Sequence, residues 1–155
     1  MKVHYEWPPV QAMVEWITQE NPMATAPTIH ELHVSDLCFS REEANQHSDP
    51  FIAVAEVEYH PDTPSKSTPY WKGVVETSRK ESGTLAHGVH MHPTDPNKLF
   101  AVEVYKSKEY LGDVHAKSDA VRANVEATKD LRKGLKHTFL KNVGGYLYNP
   151  ESTKL

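Results

Sequence analysis

Three histidines fall close together in this sequence, His87, His90 and His92, and a fourth, His115, follows Tyr105 by ten positions. Successive side chains of a strand point to opposite faces. A strand over Thr84 to His92 therefore puts Ala86, Gly88, His90 and His92 on one face and His87, Val89 and Met91 on the other. The small residues Ala86 and Gly88 beside His90 leave room for a flat ligand. A neutral imidazole there is suited to take the proton of a phenol, because its ordinary pKa of about 6.5 lies near the working pH. A phenolate gives an electron to dioxygen far more readily than a phenol does, and the site must then exclude water and orient the ring. The bland alternative is a hydrogen-bonded strand histidine beside a turn.

The other polar candidates also divide two ways. Tyr105 shares a strand face with Leu99, Ala101 and Glu103. Glu103 reads as a pocket carboxylate that fixes a histidine tautomer, or as a structural contact. His115 ends a short helix whose inner face is marked by Leu111 and Val114, so it is either an acid/base or a cation favoured by the helix dipole. The pair His90-x-His92 spans about 7 Å on one strand face, a usable distance for two metal ligands. Cupin-type oxygenases add a Glu a few residues on, but here the turn Pro93-Thr94-Asp95-Pro96-Asn97 follows without it, so no metal is expected.

These residues need a frame. Val10, Met13, Val14 and Ile17 make a helical stripe that Asn21-Pro22 should stop, because proline disfavours helix in the residue before it. A proline-punctuated linker follows, then an irregular strand over Thr28 to Phe39 and a polar loop from Arg41 to Pro50. Phe51 to Tyr59 is a strand rich in β-formers. Ser67-Thr68-Pro69 reads as a helix start, with Tyr70, Trp71, Val74 and Val75 on one face. Thr84 to His92 and Lys98 to Tyr105 form a hairpin. Ser107 caps a short helix through His115, Ser118 caps a longer one that Gly134 follows, and Leu135 to Tyr148 is a last strand with a bend at Gly144-Gly145. This order predicts an α+β fold, a ferredoxin-like split βαβ antiparallel sheet with helices on one face. The division expected is an extension over 1–50 and a domain over 51–155.

The bulk numbers fit one globular domain: 155 residues, 25% charged and 38% hydrophobic. A net charge of -4 without a basic run speaks against nucleic acid or an anionic membrane as partner. No stretch approaches the roughly 18 apolar residues of a membrane helix. Without a secretory h-region, and with Cys38 alone, the expected location is cytoplasmic.

The segment from His92 to Tyr105, with its turn Asp95-Pro96-Asn97 and its strand ending Glu103-Val104-Tyr105, resembles the hairpin of the antibiotic biosynthesis monooxygenase family. Tyr110-Leu111-Gly112-Asp113-Val114-His115 is similar to the family's following helix with its frequent histidine. The resemblance runs from about Phe51 to Tyr148. It implies a homodimeric α/β barrel, each subunit holding an apolar cavity between sheet and helices. Polyketide-tailoring members oxidise phenols to quinones with dioxygen and no metal or flavin. By that likeness His90 falls at the position of the strand histidine and Tyr105 at that of a tryptophan. Ala101 stands where an asparagine does, and Leu111, beside Tyr110, where a tyrosine does. Haem-degrading relatives carry a ligand histidine where this chain has Val125, which speaks against haem.

The site expected is thus His90, Tyr105 and His115 as catalytic groups. Tyr70, Trp71, Ala86, Gly88, His92, Ala101, Glu103, Tyr110 and Leu111 are expected around the substrate, with no cofactor. The function expected is cofactor-independent monooxygenation of an aromatic or polyketide-derived molecule. A non-oxidative cyclase or decarboxylase, and a ligand-binding dimer without catalysis, are the alternatives, since one fold carries many functions.

Overall fold

The computed structural model describes residues 8–25, 32, 33 and 35–142, apart from the side chain of Asn45. Its contacts divide the chain into two units, Met1–His30 and Glu31–Leu155.

In the first unit, helix α1 (Pro8–Glu20) opens on two prolines, tolerated where no N–H is needed. It ends as expected: Asn21 takes a left-handed backbone (φ 42°) and donates its N–H to the Ile17 carbonyl at 3.1 Å, just before Pro22.

The second unit is a five-stranded antiparallel sheet with helices. Its strands are β1 (Cys38–Ser40), β2 (Phe51–Tyr59), β3 (Thr84–Met91), β4 (Lys98–Tyr105) and β5 (Arg132–Lys141), in the spatial order β1-β3-β4-β2-β5. The split βαβ plan is present, with β1 as an added edge on β3. Thr28–Glu31 and Val34 of the strand expected over Thr28 to Phe39 lie outside the described residues. The rest gives β1 and a single bridge between His33 and Met91. The loop after β1 contains a short helix, α2 (Glu43–Gln46), whose Ala44 packs with Ile52, Leu85 and Val104.

Helix α3 (Pro64–Ser78) starts three residues before the Ser67 expected, because Pro64 already supplies a helix-ready φ at the first position. Pro69 then sits inside the helix. Ser67, Trp71, Val74, Val75 and Ser78 are its buried stripe. They close on Ala55, Val57 and Tyr59 of β2, Val89 of β3 and Leu99 and Ala101 of β4. Trp71 donates its indole N–H to the Tyr59 hydroxyl at 2.8 Å, which satisfies the polar end of a buried ring.

Helix α4 (Lys108–Tyr110) is capped by Ser107 and runs directly into a π-helical turn, Leu111–His115. Helix α5 (Asp119–Thr128) is capped by Ser118 and leads through a 3₁₀ turn, Lys129–Leu131, to β5. Gly134 is not a helix end; it lies in β5 opposite Glu58, next to a register shift. Gly144-Gly145 is outside the described residues. Among the described residues no helix is long and apolar enough to cross a membrane.

Candidate active site

The hairpin register decides which side chains meet. Along β3 and β4 His87 pairs with Glu103, Val89 with Ala101 and Met91 with Leu99. This set faces α3, where Val89, Ala101 and Leu99 belong to the core. Gly88 pairs with Val102 and His90 with Phe100, so Ala86, Gly88 and His90 face the other way. His90 and Tyr105 were expected in one cavity; the structure puts them on opposite sides of the sheet. The space beside Gly88 is also taken. A Cβ built there would stand 2.5 Å from His90 Nε2 and 3.3 Å from Cys38 Cβ, so the imidazole itself lies over the glycine. Burial holds His90 below its ordinary pKa, while a hydrogen bond to the His33 backbone works the other way. His92 folds back on its turn, where Nδ1 accepts the Asp95 N–H at 3.0 Å.

His87, expected to point away, is instead the buried member. Its Nδ1 lies 3.1 Å from Ser78 Oγ, and the Ser78 hydroxyl donates its one hydrogen to the Val74 carbonyl at 2.9 Å. Ser78 must therefore accept from His87 Nδ1–H, which leaves Nε2 as a bare lone pair. That atom has no hydrogen-bond partner and stands 3.7 Å from Glu103 Oε1. Burial, with His115 nearby, pulls the His87 pKa down to about 3, so it is neutral at pH 7.

Around it lie four more titratable groups, Tyr105, Glu103, His115 and Glu81. Tyr105 donates to Glu103 Oε2 at 3.0 Å. Burial raises the Glu103 pKa despite His115 and that hydrogen bond. Burial and the Glu103 carboxyl push the Tyr105 phenol up, so it stays protonated. His115 Nδ1 lies 2.8 Å from Glu81 Oε2, which also accepts the Thr84 hydroxyl at 2.6 Å. Burial works against the Glu81 charge, but the hydrogen bonds from His115 and Thr84 win and its pKa is lowered. A charged Glu81 fixes His115 as the Nδ1–H tautomer and leaves Nε2 to exchange protons. The His115 ring packs 5.1 Å from Tyr105 and 5.8 Å from His87, centre to centre. The donor atoms of His87, Glu103 and His115 all lie within 4.8 Å of one another, so this trio is also what could hold a metal ion among the described residues.

Glu103 and His115 open into a cavity of about 180 Å³ between the sheet and the helices. Ala55, Trp71, Val74, Leu111, Ala116, Val121, Val125 and Leu135 give it apolar walls, and Asn124, Arg132 and His137 complete it. Of the residues expected from sequence, Trp71, Glu103, Leu111 and His115 line it. Tyr105 stands behind Glu103, and Ala101 is in the adjoining core. Tyr70 is 40% exposed on α3 and is not in the lining. Tyr110 lies over Gly83, with Lys106 above its ring, and Leu111 takes the lining position instead. A wider, open depression of about 450 Å³ lies near Phe51, Ser107 and Phe139, away from the histidines.

The sequence model of the antibiotic biosynthesis monooxygenase family matches residues 50–127, half of the chain. The chain belongs to that family. The match spans β2 through most of α5, including every residue of the His87–Glu103–Tyr105–His115–Glu81 cluster. A putative monooxygenase from Lactobacillus acidophilus NCFM superposes with a TM-score of 0.72 at 20% identity, over 90% of this chain and 63% of that one. For a putative monooxygenase from Fusobacterium nucleatum the values are 0.70, 21%, 94% and 67%. A putative antibiotic biosynthesis monooxygenase from Nitrosomonas europaea gives 0.56 at 16% identity, over 63% of this chain and 99% of that one. At such identities the likeness shows the shared fold. The chain spans less than two thirds of the Lactobacillus structure's length. No curated protein matches it.

Proposed function

We propose that this member of the family is a cofactor-independent monooxygenase that oxidises a phenolic small molecule with dioxygen, using His115 as base. The observation that carries the reading is the 2.8 Å Glu81–His115 hydrogen bond at the wall of the cavity. Its Nε2 takes the phenol proton, and the phenolate passes one electron to dioxygen. The resulting radical pair joins a ring carbon to oxygen. The imidazolium returns its proton to the peroxide, the ring C–H is lost as a proton, and the O–O bond breaks to give a quinone and water. One phenol and one dioxygen thus give one quinone and one water. Apolar walls suit this chemistry because they keep water from the anion and the peroxide. The cavity is smaller than the roughly 300 Å³ and upward of typical ligand sites, which favours a single-ring substrate over a multi-ring polyketide.

A second copy of the chain is the partner this reading requires. Val125 and Leu135 at the cavity wall are 48% and 45% exposed, and Phe139 and Leu140 further along β5 are 56% and 46% exposed. A homodimer would cover them and close the cavity. The test of the oxygenase reading is oxygen uptake with a panel of single-ring phenols. Uptake matched by quinone supports it, whereas product formed equally well without oxygen favours a cyclase or decarboxylase.

A further inference from the structure

The end of the cavity away from the histidine cluster is built from hydrogen-bond donors. Arg132 begins β5; its Nε donates to Thr128 Oγ1 at 3.0 Å and its Nη2 to Asn124 Oδ1 at 2.7 Å. Thr128 and Asn124 are 0% and 3% exposed, and Thr128 Oγ1 itself donates to the Asn124 carbonyl at 2.7 Å. Two buried side chains of α5 thus hold the guanidinium in one plane.

The same contacts settle which way the Asn124 amide points. Arginine can only donate, so the atom facing it must be the amide oxygen. The amide nitrogen is then turned elsewhere, and it is buried without a partner. A buried donor left unpaired is costly. Arg132 shares the shortage of acceptors: among the described residues its side-chain hydrogen bonds go to neutral oxygens, and no carboxylate forms an ion pair with it. A cation and an orphaned N–H in the lining of one small cavity call for an anionic, two-oxygen acceptor.

We propose that the Arg132–Asn124 corner binds the carboxylate of an acidic single-ring substrate, a hydroxybenzoate in chemical class. The inference rests on the oxygenase reading above for the fate of the ring, but not for the binding itself. A carboxylate can take donors from the guanidinium and from Asn124 Nδ2 at once. The ring then lies against Trp71 and Val74, with its hydroxyl toward His115 at the other end.

The test uses two probes of equal shape, 4-hydroxybenzoate and 4-hydroxybenzamide, titrated calorimetrically into the full chain. The acid should bind at least ~10-fold more tightly than the amide. Arg132→Gln should weaken the acid to the level of the amide and leave the amide's affinity unchanged; Arg132→Lys should restore part of the preference. Should Arg132→Gln fail to fold, the wild-type side-chain amide resonance of Asn124 serves, and it should shift with the acid and not with the amide. Equal binding of both probes, binding of neither, or a preference that survives Arg132→Gln overturns the proposal. Acid preference without oxygen uptake would remove the oxygenase reading and keep this subsite. Turnover of neutral phenols without acid preference would do the reverse.

Discussion

The imidazole of His115 and the carboxylate of Glu81 meet across 2.8 Å, although 34 positions separate them in the chain. The pairing depends on the turn between α3 and β3, which carries Glu81, and on the π-turn, which carries His115. If His115 is the base, Glu81 is its positioning residue. Glu81→Gln keeps an acceptor and removes the charge. We expect kcat to fall by ~10-fold or more while KM changes little, because substrate binding does not involve this group. Equal losses in kcat and KM for every phenol would point to a merely structural contact.

His115→Ala should lower kcat/KM by at least ~100-fold, the usual cost of losing a general base. His90→Ala, on the far side of the sheet, should stay within a few-fold of wild type by the same measure. Tyr105→Phe should fall between them, since it removes the hydrogen bond to Glu103 and leaves the ring. Oxygen-electrode rates on a phenol that turns over decide the ranking. A His90→Ala loss as large as that of His115→Ala would return the base to β3.

Stability should depend on pH through His87. Its folded pKa, about 3, lies below the ordinary 6.5, so between these values the unfolded chain binds a proton that the folded one does not. The contribution is complete above pH 6.5 and is lost as pH falls, by about 1.4 kcal/mol per pH unit within the window. Urea unfolding at pH 7 and pH 4.5 should show the loss, and His87→Gln should shrink the difference. An unchanged difference would mean that His87 is protonated in the folded protein.

Sedimentation should find a dimer at micromolar concentration, and Phe139→Lys should shift it toward monomer. The motivation is the exposed apolar row on α5 and β5. A monomeric wild type would leave the cavity open and contradict the closed site proposed above.

The purified protein should work without stoichiometric metal, and chelator treatment should leave oxygen uptake intact. One equivalent of iron by elemental analysis, lost together with activity, would instead assign His87, Glu103 and His115 to a metal.

Much of the frame was legible in the sequence. The β3–β4 hairpin, the Ser107 and Ser118 caps and the stop at Asn21 follow from local chemistry, and each is in place. The sidedness of β3 was not legible, because it depends on the parity of the turn between the strands. One residue more or less would swap His87 for His90 at the helices. A signal was available: Val89 and Met91 flank the His87 face with apolar bulk, whereas Ala86 and Gly88 flank His90. Small neighbours suggested a ligand, but Gly88 is needed for the His90 ring itself. Arg132 and Asn124 escaped notice because eight positions separate them and only the 3₁₀ turn brings their side chains together.

The π-turn at Leu111–His115 has a consequence for how this chain tolerates insertions and deletions. Such a turn holds one residue more than an α-helix would, and it often persists where that extra residue aims a functional side chain. Gly112 has nothing within 4 Å of where its Cβ would be, so packing does not require it. Deleting it would let Lys108 to His115 close into a plain α-helix, in which the residues beyond the turn keep their phase while the turn's own side chains, His115 among them, are re-aimed. The helix would survive and His115 would leave Glu81. Loss of this one residue is therefore expected to abolish activity without unfolding the protein, which circular dichroism and oxygen uptake on the deletion variant would show together.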